Sequence, residues 1–255
     1  LPNPPTIHGV SADGGEVDEA LARGLLDSGG KPGEALPQGQ ALVVYATPLV
    51  AALSIMERHG EELRNSDTVL TDLVSLKVPM MDRAREVGLG ERFVGSHPMI
   101  GGTGTGFRHS RDDLYLGAPV WIVPGNADDR TVVRVEALWK TLGARPERVS
   151  AADHDRRMAW VSHLPQLTAN ALARILEETG LGPEDLGPGG RDMTRLAASS
   201  PEMWGDLLAT GPLGLLDALS AMEERLSGIR VLLAEGRVEE VRALMEDTRR
   251  WKEGL

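Results

Sequence analysis

The first half of the chain alternates short apolar runs with segments in which apolar residues recur at helical spacing. This alternation is typical of a parallel sheet whose strands are joined by crossover helices. Each apolar run ends near Gly, Pro, Ser or a charged residue, where a chain can turn. The predicted strands are Thr6 to Val10, Ala41 to Ala46, Thr68 to Asp72, Arg92 to Gly95 and Pro119 to Val123.

Two of these runs, Ala41 to Tyr45 and Val120 to Val123, are apolar at nearly every position. Strands that are covered by helices on both faces show this pattern. We therefore expect both strands to lie centrally in the sheet of an α/β domain.

From about Ser150 the strand-like runs stop, and helix-forming stretches are separated by Gly and Pro clusters. The second half is therefore predicted to be all-helical. Its last long helix carries apolar residues at alternating steps of four and three, the period of a helix seam. This stripe packs either inside its own domain, which the pattern alone favours, or across a subunit interface; it comprises Leu215, Leu219, Met222, Leu226, Ile229 and Leu233.

Composition narrows the function. The chain has 255 residues and is 41% hydrophobic, enough for a substantial core. Its formal net charge of -11 argues against a nucleic-acid partner, and no apolar run approaches the roughly 20 residues that span a membrane. The absence of cysteine excludes a thiolate zinc site and fits a cytoplasmic location. Since no zinc or calcium spacing is present, we predict no metal, and small molecules or other proteins as partners.

The stretch from Val94 to Gly106 is the most informative for chemistry. His97 follows an apolar strand and precedes Pro98, at the position where open α/β sheets bind ligands. Imidazole is well suited to accept a proton from a substrate hydroxyl near neutral pH. The alternative is a histidine that only hydrogen-bonds its own loop. Four glycines within the next few residues make the functional interpretation more competitive with this alternative, because their backbone amides can approach a bound anion.

Two further clusters follow predicted strands, and each has an ordinary structural alternative. Asp72 to Lys77 offers a carboxylate, a hydroxyl and an ammonium group, although Ser75 could instead cap a helix. Thr47 and Pro48 close another strand, where the loop could contact a cofactor or simply turn the chain.

In the helical half, Pro165 follows His163 closely. Because proline lacks a backbone donor, we expect a kink that could present His163 to a cleft; a capping or half-buried histidine is the alternative. Ser162 and His163 are adjacent on a helix and do not face each other, which disfavours a hydrolase. Farther on, Asp192 either forms an ion pair with Arg195, the commoner outcome, or orients it toward a carboxylate ligand.

In this order, and over nearly the whole chain, these clusters resemble the prephenate and arogenate dehydrogenase family. The matching segments are Ala46-Thr47-Pro48, Asp72 to Lys77, Gly95-Ser96-His97-Pro98-Met99, His154-Asp155, Val161 to Pro165, Arg191 to Arg195 and Ser200 to Trp204. The resemblance implies a Rossmann-type nucleotide-binding domain over residues 1–149 and an all-α substrate-binding and dimerisation domain over 150–255. The active site would lie in the cleft between them, and the apolar stripe would then form a homodimer interface.

The resemblance also implies roles for single residues. His97 would accept the proton of the ring hydroxyl of prephenate while hydride passes to NAD or NADP and carbon dioxide is lost. Ser75 would hydrogen-bond His97 beside the nicotinamide, and Arg195 would bind a substrate carboxylate. Trp204 would support the Arg195 region. The other implied residues are His163 and Thr105 for the substrate, and Ser11, Thr47, Pro48 and Ser75 for the cofactor.

Three departures from the family pattern bear on these expectations. The family opens with a strand and a Gly-x-Gly-x-x-Gly loop that holds the pyrophosphate, and we expect this unit to precede Leu1 in the natural protein. Ser11 occupies the position where an acid would bind the ribose, with Asp13 two residues later, which leaves NAD and NADP open. Small residues at Gly102 to Gly104 leave the preference for prephenate or arogenate open.

The sequence is thus interpreted as that of a nicotinamide-dependent prephenate dehydrogenase with His97 as the base. Arogenate dehydrogenase is the nearest alternative. A non-catalytic ligand-binding relative that lost the dinucleotide loop is the alternative from another functional class.

Overall fold

A computed structural model of the chain describes residues 5–100 and 106–254. Their contacts divide them into two compact units. The first extends to Asp155 and also takes in Ser199–Thr210, while the second comprises Arg156–Ala198 and the chain from Gly211 onward. The strands are β1 (His8–Val10), β2 (Ser28–Gly30), β3 (Leu42–Tyr45), β4 (Val69–Asp72), β5 (Phe93–Pro98), β6 (Pro119–Val123) and β7 (Arg145–Arg148).

Ten α-helices occur in the described residues. They are α1 (Gly14–Ala22), α2 (Leu49–Glu62), α3 (Val78–Glu86), α4 (Asp129–Thr141), α5 (Ala151–Met158), α6 (Leu164–Glu178), α7 (Pro188–Thr194), α8 (Pro201–Ala209), α9 (Leu215–Ala234) and α10 (Val238–Glu253). None of these helices is both long and apolar enough to cross a bilayer.

The first unit is an α/β domain, as the sequence predicts. β1 and β2 form a parallel pair, and β3 to β7 form a second sheet in chain order. Neighbouring residues of a strand face opposite sides, so that Leu70 and Phe93 join α2 and α3 in one core cluster while Val69 and Val94 join α4 in the other. The central β4 is buried at all four positions.

Two expectations about this sheet are wrong. The apolar run of β3 does not lie centrally in the described residues: β3 pairs with β4 alone, and Val44 is 42% exposed. The sheet is also not wholly parallel, because β6 runs antiparallel to β5. The prediction missed β2 and β7, whose sequences Ser-Gly-Gly and Arg-Pro-Glu-Arg contain no apolar run.

The second unit is helical throughout its described residues, as predicted. α6 packs against α7, α9 and the 3-10 turn Arg195–Ala198, and α9 packs against α10. On the predicted stripe of α9, Leu215 is buried, whereas Leu226 and Leu233 are more than half exposed. α10 buries no residue, and its Trp251 is 80% exposed. This end of the unit therefore presents an apolar surface.

Candidate active site

Polar side chains meet the carboxyl edge of three adjacent strands in the first unit. β3, β4 and β5 are parallel, so their carboxyl ends lie at one edge of the sheet. Thr47 follows β3, Ser75 follows β4, and His97 occupies the end of β5. The sequence predicted all three as site residues, and the topology brings them to the same edge.

Thr47 has a buried hydroxyl oxygen that makes no hydrogen bond within the described chain. It directly precedes Pro48, the N-cap of α2, which itself provides no side-chain cap. A buried hydroxyl without a partner is costly, so the position favours a ligand that can hydrogen-bond to it. This fits the predicted contact of Thr47 and Pro48 with the cofactor.

His97 is half-buried and contacts a second histidine from α5. Its Nδ1 lies 2.9 Å from Nε2 of His154, and the two rings meet edge to face with their centroids 5.1 Å apart. His154 is completely buried, and its Nδ1 lies 2.7 Å from Oδ1 of Asp155. The three side chains therefore form a continuous line from a buried carboxylate to the predicted base.

Asp155 is fixed by the start of α3. Its Oδ1 accepts a hydrogen bond from the backbone N–H of Lys77 at 2.8 Å, and its Oδ2 accepts one from Val78 at 2.8 Å. The first backbone N–H groups of a helix lack partners within the helix, and a carboxylate is a favourable acceptor for them. Asp155 thus joins the first turn of α3 to α5 and holds His154 in place.

Ser75 does not hydrogen-bond His97, contrary to the expectation from the family resemblance. Its side chain is exposed and makes no hydrogen bond to any other described residue. Nor does it cap α3, whose N-cap is Lys77 and has no side-chain cap. Nδ1 of His97 contacts His154 instead, because α5 carries that ring to the end of β5.

A buried ion pair lies beside this line. Oδ2 of Asp72 bonds Nζ of Lys77, which also donates to the carbonyl oxygen of Ser96 at 2.7 Å. Oδ1 of Asp72 accepts the backbone N–H of Ser96 at 2.8 Å. These bonds fix the residue that precedes His97. Burial raises the pKa of Asp72 and lowers the pKa of Lys77, in each case against the attraction of the partner.

Ser11 lies directly after β1, where a nucleotide ribose was predicted to bind. Its hydroxyl donates to Oε2 of Glu16 at 3.1 Å, and Oε1 of the same carboxylate accepts the backbone N–H of Phe107 at 2.9 Å. Asp13 caps α1 by accepting from Gly15. Two carboxylates therefore accompany Ser11 at this position.

In the second unit, His163 ends a π-helical turn, Ala159–His163, between α5 and α6. Pro165 lies in the first turn of α6 and cannot donate a backbone hydrogen bond, which accounts for the interrupted helical ladder. The structure therefore has a π-helical turn at His163, a feature that is frequent at functional sites, and the predicted kink stays a prediction. The His163 side chain is buried at 1% exposure.

Arg195 begins the 3-10 turn that follows α7, and its side chain is exposed. In the part of the chain that the structure describes, neither Arg195 nor Asp192 forms an ion pair, so the commoner of the two expected roles is not observed. Nε2 of Gln166 donates to the carbonyl oxygen of Leu196 at 2.7 Å and ties this turn to α6. Gln166 was not predicted from the sequence, where it is one polar residue of an amphipathic helix.

Trp204 and Thr105 are the remaining predicted site residues. Trp204 lies on α8 and packs against the core cluster of the first unit, whereas Arg195, which it was expected to support, belongs to the second. Thr105 lies outside the described residues. His154 and Asp155 form a segment that matches the family pattern, and the sequence assigned no role to either residue.

Two family profiles match the chain. The nucleotide-binding domain of prephenate dehydrogenase matches residues 3–148, and the dimerization domain of prephenate dehydrogenase matches residues 150–247. The compact units of the structure divide after Asp155.

Two bacterial dehydrogenases resemble the chain over most of its length. It is 27% identical to prephenate dehydrogenase of Bacillus subtilis, covering 98% of this chain and 69% of the relative. It is also 27% identical to cyclohexadienyl dehydrogenase of Zymomonas mobilis, covering 76% of this chain and 68% of the relative.

Solved structures show the same fold. Prephenate dehydrogenase from Aquifex aeolicus, solved in complex with hydroxyphenyl propionate and NAD+, superposes with a TM-score of 0.88 at 27% identity, over 98% of this chain and 88% of that one. Arogenate dehydrogenase of Synechocystis shares the fold, with a TM-score of 0.81 at 24% identity over 97% of this chain and 90% of that one. The chain belongs to the prephenate dehydrogenase family.

Proposed function

We propose that this protein is a prephenate dehydrogenase of tyrosine biosynthesis, which converts prephenate to 4-hydroxyphenylpyruvate and carbon dioxide with hydride transfer to NAD(P)+. The observation that carries the proposal is the placement of His97 at the carboxyl edge of three parallel strands, with its Nδ1 on the buried ring of His154. A held imidazole at this edge is suited to remove a proton from a bound hydroxyl.

Residues of the second unit are proposed to hold the substrate. Prephenate is a dianion, and a protein with a net charge of -11 needs a fixed cation to bind it. Arg195 is an exposed guanidinium whose donors form no ion pair within the described chain, and Gln166 anchors its turn. We assign a substrate carboxylate to Arg195 and a positioning role to His163, which ends the π-helical turn.

When bound, a nicotinamide dinucleotide supplies the hydride acceptor of this reaction. The first unit offers residues that fit it: the buried hydroxyl of Thr47 with Pro48, the exposed Ser75 at the same edge, and Ser11 after β1. Asp13 and Glu16 accompany Ser11, and two carboxylates there would repel the 2′-phosphate of NADP. We therefore propose NAD as the preferred cofactor.

We further propose that the protein is a cytoplasmic homodimer that uses the exposed apolar stripe of α9. Leu226 and Leu233 continue the seam that begins at the buried Leu215, and α10 adds the exposed Trp251. An exposed stripe of this length is a favourable surface for a second helix.

The test is formation of reduced nicotinamide by the full-length protein, with each pairing of prephenate or arogenate and NAD or NADP. We expect turnover with prephenate and NAD, formation of 4-hydroxyphenylpyruvate detected by mass spectrometry, and loss of turnover in His97→Asn. A preference for arogenate would reassign the substrate. A folded full-length protein without turnover for any pair would contradict the proposal and favour a ligand-binding protein.

A further inference from the structure

The line His97, His154 and Asp155 determines where the protons of its members reside. Both oxygens of Asp155 accept backbone N–H bonds, from Lys77 and Val78. An ionised carboxylate only accepts hydrogen bonds. The hydrogen between Asp155 and His154, 2.7 Å apart, therefore belongs to Nδ1 of His154.

This assignment sets the next one. A neutral imidazole carries one hydrogen, so Nε2 of a neutral His154 is an acceptor. The hydrogen in the 2.9 Å contact between the rings then belongs to Nδ1 of His97. It follows that the lone pair of neutral His97 lies on Nε2.

We infer that His154, backed by Asp155, is a positioning residue that holds His97 in this tautomer and takes up part of the positive charge that His97 gains in the reaction. The inference deepens the proposed function and rests on it for the role of His97. The tautomer itself follows from four contacts within the first unit and does not depend on the family.

The proton step is balanced within this line. The O–H bond of the substrate hydroxyl breaks, and a bond from that hydrogen to Nε2 of His97 forms. His97 becomes an imidazolium. Its Nδ1 hydrogen can then move to Nε2 of His154, so that Nε2 becomes the donor and Nδ1 the acceptor. The charge then lies beside the carboxylate of Asp155. When the proton is released to water, the line returns to its starting state.

The charges around these three side chains favour proton movement from His97 toward His154. Asp155 is on the same helix as His154, and the neighbouring titratable groups from β4 and the loop after it are Asp72 and Lys77. These two form a buried pair with each other, so their charges offset. Within the described residues, the side chain of Asp155 accepts hydrogen bonds from two backbone N–H groups and contacts Nδ1 of His154, so its charge lies next to the histidine pair.

The first test observes the tautomer without requiring activity. Full-length protein with 15N-labelled histidine is examined by NMR, where ring nitrogen shifts distinguish a protonated from an unprotonated nitrogen; His97→Asn assigns the signals. We expect neutral His97 to show a protonated Nδ1 and an unprotonated Nε2. In His154→Phe the His97 shifts should move toward an average of both tautomers. A His97 protonated at Nε2, or one unchanged in His154→Phe, would overturn the inference.

The second test separates charge uptake from simple hydrogen bonding. The side chain of His154→Gln can still accept the Nδ1 hydrogen of His97 through its carbonyl oxygen but cannot take up a proton. We expect this variant to retain the His97 tautomer but to lose about 10- to 100-fold in kcat, because it cannot take up charge; changes to the partners behind metal-bound histidines have effects of this size. KM and the dissociation constant for NAD should change little, and the acid limb of the kcat profile should shift in pH.

His59→Gln is the matched control, because His59 is a half-buried histidine of the same unit that bonds Tyr45 instead. It should keep the wild-type kcat and pH profile. Wild-type kcat in His154→Gln would overturn the charge-sharing role. If the wild-type protein turns over no substrate, the proposed function fails, while the tautomer measurement still decides the arrangement of the histidine pair.

Discussion

Lys77 and Asp72 form an ion pair in which both side chains are fully buried. The pair connects the end of β4 to the start of α3. Both side chains also bond the backbone of Ser96, the residue before His97. Burial is the largest influence on both pKa values, raising that of Asp72 and lowering that of Lys77. Each charge is therefore tolerated only because the other is present.

Removal of one partner should be much more harmful than removal of both. We expect Lys77→Met to lower the free energy of unfolding by about 3–5 kcal/mol, because Asp72 would remain buried without its counter-charge. The double variant with Asp72→Asn should lose less than the sum of the single losses, since Asn still offers an oxygen to the backbone of Ser96. Urea unfolding of the four proteins measures this, and additive losses would contradict it.

Local patterns in the sequence were sufficient for much of the fold. Five strands and the helical second half follow from apolar periodicity, because their burial is reflected in residue type. β2 and β7 were missed since Ser-Gly-Gly and Arg-Pro-Glu-Arg have no such pattern. The antiparallel β6 could not be predicted either, because strand direction depends on how the chain returns and not on the composition of the strand.

The candidate site was predictable residue by residue but not in its contacts. Thr47, Ser75 and His97 were singled out because each follows a strand. The partner predicted for His97 differs from the observed one. The family resemblance implied Ser75, whereas the ring of His97 contacts His154, which is 57 residues away in sequence. The residue type indicates which chemistry a side chain can perform, whereas the partner of that side chain depends on tertiary packing.

Stability should also depend on His59. Burial lowers the pKa of His59 from 6.5, so its folded form favours the neutral ring and the unfolded chain binds the proton at higher pH. The contribution is fully present above 6.5 and is lost as the pH falls toward the lowered value. Urea unfolding across this range should show a smaller decrease in His59→Gln than in wild type.

Tyr45→Phe is the control for His59. It removes the 3.2 Å contact between the Tyr45 hydroxyl and Nδ1 of His59 but leaves the ring buried. Because burial is the largest cause of the lowered pKa, the decrease at acid pH should persist in this variant. Equal pH dependence in wild type and His59→Gln would contradict the assignment.

Thr47 should affect cofactor binding without supporting the fold. Its buried hydroxyl makes no hydrogen bond within the described chain, so Thr47→Val should leave the free energy of unfolding unchanged or slightly higher. If the hydroxyl bonds the cofactor, the dissociation constant for NAD should rise about 2- to 12-fold, the equivalent of one neutral hydrogen bond. Calorimetric titration with NAD measures the change.

Thr68→Val provides the opposite pattern. The hydroxyl of Thr68 donates to the carbonyl oxygen of Gln40 at 2.9 Å, within the fold. This variant should lose about 0.5–1.5 kcal/mol of stability and keep the affinity for NAD. Loss of stability without loss of affinity in Thr47→Val would exclude a cofactor contact at that hydroxyl.

Arg195 should govern affinity for the substrate. Removal of a charged hydrogen bond typically costs about 1.5–3 kcal/mol, so Arg195→Met should raise KM for prephenate about 10- to 150-fold. Arg195→Lys should restore only part of this, because an ammonium cannot form two parallel bonds to a carboxylate. Arg191→Met, which alters an exposed arginine on the preceding α7, should behave as wild type. The idea fails if Arg191→Met and Arg195→Met raise KM equally.

The apolar stripe of α9 should determine the oligomeric state. Leu226 is 57% exposed within one chain, and in a homodimer that uses the stripe its side chain would be buried. A charge introduced there would be buried without a partner, so Leu226→Glu should weaken the dimer strongly. We expect the variant to elute as a monomer in size-exclusion chromatography with light scattering, with the helical content unchanged.

Val231 offers a matched control on the same helix. It is 41% exposed, and at about 100° per residue it lies about 140° around the helix from Leu226. Val231→Glu should therefore remain dimeric. A dimer that survives Leu226→Glu and dissociates in Val231→Glu would place the interface on the opposite face of α9, whereas dissociation in both would mean that the helix is enclosed by the partner on more than one side.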